Sequence, residues 1–362
     1  MKDLVGRKDR SMGSFFAGKK ILITGHTGFK GSWLSRILYL LGSKVYGFSL
    51  SPETNPNLYQ LANIDSFVDS TIADIRDFDT LYETFRRIQP EIVIHLAAQP
   101  LVRVSYKEPR YTYETNVMGT VNLLECLRLT SCVRSFLNVT TDKVYKNNEW
   151  CWGYRENDVL DGFEPYSNSK SCSELVTRSY RDSFFSDRTV SISTARAGNV
   201  IGGGDFSLDR IIPDCVRAQI AGTKIVVRNP NSIRPYQHVL EPLFAYLMII
   251  EKQFENINYS GSYNVGPDER DCVTTGRLVD LFCGSWKENA TWVKFDEQNS
   301  PHEANFLKLD CSRIKDVIGW KPVWHIETAV DRVCEWTKNW LNNGAILDVM
   351  DRQIEDYLNE WK

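Results

Sequence analysis

The chain has 362 residues, with 43 Lys and Arg against 46 Asp and Glu and a formal net charge of −3. Near-neutral charge without a strong basic run argues against a dedicated nucleic-acid binder. The length allows one large or two modest domains with a sizeable core. The longest apolar stretches, such as residues 242–250, are too short to span a bilayer, which speaks against a membrane protein. Nine cysteines without a Cys-x-x-Cys pair read as reduced thiols in the cytoplasm. The five histidines are scattered without metal-ligand spacing, so no metal is expected.

Residues 1–18 mix charge with Gly and Ser and lack the apolar centre of a leader, so they read as a loose extension. Lys20-Ile-Leu-Ile-Thr24 is a short apolar run suited to a buried parallel strand. Gly25-His-Thr27-Gly28-Phe29-Lys30-Gly31 follows. Trp33, Leu34, Ile37, Leu38 and Leu41 then recur at helical spacing up to Gly42. Strand, glycine turn and helix together form a nucleotide site: the glycines admit backbone close to a pyrophosphate, and the helix N-terminus offers N–H groups to its oxygens. Gly25, Thr27, Gly28, Phe29, Lys30 and Gly31 are therefore candidate cofactor contacts.

Lys44-Val-Tyr-Gly-Phe48 reads as the second strand. Ser49 stands where a carboxylate often grips the adenosine ribose of NAD, with Glu53 as a substitute beyond it. No Arg stands there to receive a 2′-phosphate, so NAD and NADP both stay open at this strand end. Asp74, followed by Ile75, can accept from an adenine amino group or cap the next helix. Residues 91–98 read as another buried strand. It ends in Ala97 and Ala98, small enough for a flat cofactor or for tight packing, and His95 reads as a core histidine.

Two further segments carry chemistry. Thr140-Thr141-Asp142-Lys143-Val144-Tyr145 ends a buried strand, where a hydroxyl and a carboxyl reach one substrate. Tyr166-Ser-Asn-Ser-Lys170 puts a phenol and an ammonium one turn apart on one helix face. A cation there can lower the phenol pKa, so that the phenolate takes a proton from an alcohol.

Taken in order, these motifs resemble the extended short-chain dehydrogenase/reductase superfamily. Asn116-Val-x-Gly119-Thr120, Arg196-x-x-Asn199-Val-x-Gly202, Arg234-Pro-Tyr-Gln-His238-Val and Tyr263-Asn-Val-Gly266 extend the likeness to most of the chain. Within it the chain resembles the sugar-nucleotide 4,6-dehydratases. Those acting on dTDP-glucose and GDP-mannose read Thr-Asp-Glu-Val-Tyr-Gly at the strand end. Here Lys143 replaces the Glu and Lys146 the Gly; Asp142-Lys-Val-Tyr145 resembles the CDP-D-glucose 4,6-dehydratases, and Gln99-Pro-Leu-Val-Arg103 fits that subgroup.

The resemblance implies NAD as cofactor, CDP-D-glucose as substrate and a place in deoxysugar and lipopolysaccharide biosynthesis. It implies Tyr166 as the base at the 4-hydroxyl, Lys170 as its cation and a nicotinamide-ribose contact, and Thr141 as a donor to the 4-oxygen. Asp142 is the acid for the departing 6-hydroxyl, provided burial raises its pKa. Lys143 either removes the carbon-5 proton, which requires it neutral, or stabilises the enolate. Arg103, Asn199 and Arg234 are the implied substrate contacts, Arg234 alternatively being a surface ion-pair residue. The Tyr166 helix is implied as the contact of a homodimer or homotetramer. Rival readings are dehydration of another sugar nucleotide, epimerisation, and noncatalytic NAD sensing.

The expected fold is α/β, a Rossmann-type doubly wound parallel sheet with a smaller C-terminal α/β substrate lobe. Residues 19–200 and 235–262 are expected in the NAD-binding domain, and 201–234 and 263–362 in the lobe.

Overall fold

A computed structural model describes residues 10–185, 190–295 and 306–361. Seven strands form one sheet: β1 (Lys20–Thr24), β2 (Lys44–Ser49), β3 (Asp69–Ile72), β4 (Ile92–His95), β5 (Ser135–Thr141), β6 (Ser191–Ala197) and β7 (Ser262–Val265). Their order is β7-β6-β5-β4-β1-β2-β3, and every pairing is parallel. The order reverses direction at β1, where the chain turns from building one half of the sheet to the other. In such sheets ligands bind outside the carboxyl ends of the strands.

Helices cover both faces, which is why β5 and β6 are buried at every residue. On one face, α1 (Phe29–Leu40) buries Trp33, Leu34, Ile37 and Leu38 with the strand residues Ile21 and Ile23. Opposite, α2 (Phe78–Ile88), α3 (Gly119–Leu129) and α4 (Pro165–Phe184) pack Leu81, Phe85, Leu123, Leu124 and Val176 against Leu22, Val93 and Phe136. A smaller core lies between α5 (Ile211–Ile220), α7 (Thr275–Trp286) and α8 (Ile326–Leu341), with Ile212, Leu278, Phe282, Val330 and Val333 at its centre. Two short strand pairs, Ile225–Val227 with Trp292–Lys294 and Ile233–Pro235 with Cys272–Thr274, complete this lobe.

Three segments depart from the sequence expectation. The extension 1–18 is not loose throughout: Arg10–Phe16 is helical, Phe16 is fully buried, and its carbonyl accepts from Ser43 Oγ at 3.0 Å. Residues 1–9 lie outside the described residues. The sheet does not end at 262, because Tyr263 and Val265 are buried in β7 beside β6. The last helix, α9 (Ile346–Glu360), joins the large core instead of the lobe. It packs on α6 (Leu240–Glu255), with the Tyr357 and Phe244 rings stacked at 4.9 Å.

Glu241, in the first turn of α6, anchors that C-terminal region. Its Oε1 accepts from the backbone of Val323 and Trp324 at 3.0 and 2.6 Å, and its Oε2 from Tyr357 at 2.8 Å. Burial pushes its carboxyl up to about 7 against these hydrogen bonds. The folded pKa lies above the ordinary 4.5, so the native state binds the extra proton between pH 4.5 and 7. Stability therefore falls as pH rises through that window, by about 3 kcal/mol at most. Glu241→Gln mimics the protonated carboxyl. Thermal unfolding is expected to show the variant gaining on its parent from pH 4.5 to 7 and holding that gain above. A difference that does not vary with pH would refute this account.

Candidate active site

The carboxyl ends of β1 to β6 open into a cleft of about 530 Å³ shared with the smaller lobe. Gly25 follows β1 with φ +76°, and a Cβ there would lie 2.7 Å from the Ala97 nitrogen. A Cβ on Gly31 would overlap the Gly25 carbonyl and come within 2.6 Å of His26 Cα. The turn thus closes against the end of β4, and α1 closes against the turn. Gly28 caps α1 without a side-chain hydrogen bond. Gly28, Phe29, Lys30 and Gly31 all line the cleft, so the first-turn N–H groups of α1 suit an anion.

Thr27 Oγ1 donates to the Leu50 carbonyl at 2.8 Å and, with that proton committed, accepts from Ser49 Oγ at 2.9 Å. Ser49 therefore ties the end of β2 to the glycine turn. Asp74 lines the cleft while forked onto Arg76, whose Nε and Nη2 lie 3.1 and 2.7 Å from its two oxygens. That guanidinium holds the Asp74 carboxyl below its usual range. Asp74 is not the helix cap: Asp77 takes that place, accepting from the Thr80 nitrogen at 3.2 Å. Ile75 is buried under Gly119, where a Cβ would meet its Cγ2 at 2.7 Å. Ala97 and Ala98 line the wall beyond the turn. An open helix N-terminus, small side chains and a rim carboxylate fit a dinucleotide. His95 is a satisfied core group, with Thr24 at 2.7 Å and Thr120 at 3.2 Å, and burial pushes it down to about 3.

The catalytic candidates converge at the end of β5. Thr141 Oγ1 donates to Asp142 Oδ1 at 3.0 Å, and the same hydroxyl is near enough to the Tyr166 phenol to oppose the rise of its pKa. Asp142 is 1% exposed, and burial pushes its carboxyl up despite Lys143, Arg234 and Lys30 nearby. Its Oδ2 has no hydrogen-bond partner among the described residues, and a Cβ on Gly198 would crowd it at 3.1 Å. Lys143 lines the cleft, and its backbone nitrogen closes the turn onto Thr141 Oγ1 at 3.4 Å.

Tyr166 and Lys170 stand on the first turns of α4, capped by Glu164, which accepts from the Tyr166 nitrogen at 2.8 Å. Lys170 does not pull the phenol toward neutrality here. Its Nζ donates to the Val139 carbonyl at 3.3 Å, and burial lowers it to about 8 against the pull of Glu174. Burial pushes Tyr166 up to about 12, and the cation that opposes this is Arg210.

Arg103, Asn199 and Arg234 also line the cleft. Arg234 is 7% exposed and near enough to Asp142 to act on its charge, so it is no surface residue. Ile211, Ile212 and Pro213 face the same space from α5. Sequence reasoning missed Arg210, held at 2.9 Å by Asp205 directly after the Gly202-Gly203-Gly204 run. It also missed Glu164, because Glu is an unusual helix cap.

The sequence model of the family described as GDP-mannose 4,6 dehydratase matches residues 22–333. A CDP-glucose 4,6-dehydratase from Salmonella typhimurium is 44% identical over 96% of this chain and 98% of its own length. A dTDP-glucose 4,6-dehydratase from the same organism is 26% identical over 93% of this chain and 99% of its own. Among solved structures, dTDP-glucose 4,6-dehydratase from Bacillus anthracis in complex with NAD superposes with a TM-score of 0.74 at 20% identity, covering 91% of this chain and all of that one. UDP-glucose 4-epimerase from Thermotoga maritima with UDP-glucose gives 0.77 at 22% identity, covering 89% and 99%. These structures share the fold with both dehydratases and epimerases, whereas the family match spans most of the sequence: the chain belongs to the GDP-mannose 4,6 dehydratase family of sugar-nucleotide dehydratases, within the extended short-chain dehydrogenase/reductases.

Proposed function

We propose that the chain is a CDP-D-glucose 4,6-dehydratase that uses NAD and yields CDP-4-keto-6-deoxy-D-glucose. One observation carries this reading: Asp142 is a buried carboxyl, raised in pKa, with an uncommitted oxygen, on the turn that faces Tyr166. Loss of water from carbon 6 needs such an acid, whereas a 4-epimerase has no leaving hydroxyl to protonate. The likeness to the Salmonella enzyme supports cytidine as the base.

Gly25, Thr27, Gly28, Gly31, Asp74 and Ala97 are the groups that would hold NAD. When bound, NAD supplies a hydride acceptor for carbon 4 and the same hydride back to carbon 6. Tyr166 takes the 4-hydroxyl proton while Thr141 hydrogen-bonds the developing oxyanion. Arg210 supplies positive charge that offsets the cost of a buried phenolate, and Lys170 would contact the nicotinamide ribose. The ketone acidifies the carbon-5 proton, on which Lys143 acts as base or as stabiliser of the enolate. Asp142, protonated, delivers its proton to the departing 6-hydroxyl. Arg234 and Asn199 are among the groups that would contact the diphosphate. Leu175 and Phe184 on α4, 51% and 56% exposed, suit the contact of a homodimer or homotetramer. Nine free cysteines suit the reducing cytoplasm, and among the described residues no helix is long and apolar enough to cross a membrane.

Purified chain with CDP-D-glucose and NAD is expected to form a product with the absorbance of a 4-keto sugar in base. An inert chain would refute the reading. Tyr166→Phe is expected to fold normally and to lose turnover by about 10²–10⁴-fold; a variant keeping a tenth of the parent rate would remove Tyr166 as the base. Lys143→Ala separates oxidation from elimination. In single turnovers it is expected to accumulate NADH while carbon-5 exchange with solvent deuterium slows. A raised KM with no NADH build-up would instead make Lys143 a binding residue.

A further inference from the structure

Two arginines face each other across the cleft mouth. Arg103 comes from the helical turn Val102–Lys107 on the nucleotide-binding wall, and Arg228 follows the short strand Ile225–Val227 of the lobe. Asp209 stands between them. Its Oδ1 accepts from Arg228 Nη1 at 3.1 Å and lies 3.8 Å from Arg103 Nε. One carboxylate oxygen is thus shared by guanidinium groups from opposite walls. A second carboxylate, Asp214, lies 3.5 Å from Arg228 Nη2 but is itself engaged by Arg217 at 2.5 Å. Asp209 has φ +58°, in the left-handed region that non-glycine residues seldom adopt. It immediately precedes Arg210, the residue that caps α5 and faces Tyr166.

All three side chains are partly open to solvent: Arg103 is 34% exposed, Asp209 46% and Arg228 29%. Ion pairs at such exposure are weak and exchange readily. A carboxylate brings one charge to the pair of arginines. A diphosphate brings at least two and more oxygens, in the forked geometry that guanidinium groups match.

We propose that Asp209 is a resident anion that occupies, between Arg103 and Arg228, the place of the substrate's diphosphate and is displaced by it on binding. The inference rests on the reading of this cleft as a sugar-nucleotide site. Before substrate enters, Asp209 keeps the two arginines converged and offsets one of their two charges, so less ordering is left for the binding step. It also sets a threshold. A ligand must carry enough negative charge to replace a carboxylate, which disfavours neutral sugars and nucleosides relative to nucleoside diphosphates.

Asp209→Asn tests this directly. Asn has nearly the shape of Asp and tolerates positive φ, so the backbone is kept while the charge is lost. Asp209→Gly, at ease in the same conformation, is the second variant. In calorimetric titration with inorganic pyrophosphate, both are expected to bind about fivefold tighter than the parent, with cytidine binding unchanged. Arg228→Gln is expected to weaken pyrophosphate binding, and adding Asp209→Asn to it is expected to recover much less than the single substitution gains. Variants that bind pyrophosphate no tighter than the parent, including no measurable binding by either, overturn the proposal and leave Asp209 a loop anchor. Pyrophosphate binding needs no turnover, so failure to convert CDP-D-glucose would strike the dehydratase reading while this comparison still decides the role of Asp209.

Discussion

Glu174 and Arg196 meet at 2.9 Å with side chains 2% and 3% exposed, and the active-site geometry hangs on that pair. Glu174 lies one turn beyond Lys170 on α4, and Arg196 lies on β6 beside Thr140 of β5. Thr140 and Thr194 donate to the two Glu174 oxygens at 2.5 and 2.7 Å, so the carboxylate is saturated by groups from both strands. The other end of Arg196 donates to the Tyr145 hydroxyl at 2.7 Å, and Tyr145 donates to Asn264 on β7 at 2.6 Å. Tyr145 closes the segment that begins Thr141-Asp142-Lys143. One buried network therefore joins the helix that bears Tyr166 and Lys170 to the turn that bears Asp142 and Lys143. Desolvating two charges is costly, and a hydrophobic replacement can match such a pair in stability. What a hydrophobic replacement cannot supply is direction, because only hydrogen bonds fix α4, β5, β6 and β7 in register around one point.

The network also explains how much was legible beforehand. The Lys20–Thr24 strand and the Trp33 helix follow from local pattern, a continuous apolar run and a 3.6-residue period, and they stand where the pattern puts them. The cleft also collects Thr141, Asp142, Lys143, Tyr166 and Lys170, which motif spacing had singled out. The rest depends on contacts between distant segments. The amphipathic stretch of α9 shows that it buries a face, but nothing local says that the face meets Phe244 and Glu241 more than a hundred positions earlier. Phe16 sits in a segment whose composition reads as solvated, and one fully buried aromatic ring outweighs that composition. Arg210 and Asp209 look like ordinary surface charges in sequence; only the lobe's folding over the sheet brings them to Tyr166 and Arg103.

Burial drives the groups at the centre of the cleft toward their uncharged forms. Asp142 is pushed up, Lys170 and Lys30 are both lowered to about 8, and Tyr166 is raised to about 12. For an acid that must hold its proton until a hydroxyl leaves, that is the useful direction. For a tyrosine that must give its proton up, it is the wrong one, and the one-turn spacing to Lys170 does not by itself reverse it. Positive charge has to come from elsewhere, and the structure brings Arg210 from the substrate lobe into range of the phenol. Arg210 follows Asp209, the residue shared between the two walls, and is held by Asp205. Arg210, which acts on the Tyr166 phenol, and Asp209, which stands between the cleft-mouth arginines, thereby belong to one six-residue segment, 205–210. Under the proposal made above, a sugar nucleotide that displaced Asp209 would act on the same stretch of backbone that carries Arg210, and filling of the diphosphate site would be joined to preparation of the first proton transfer.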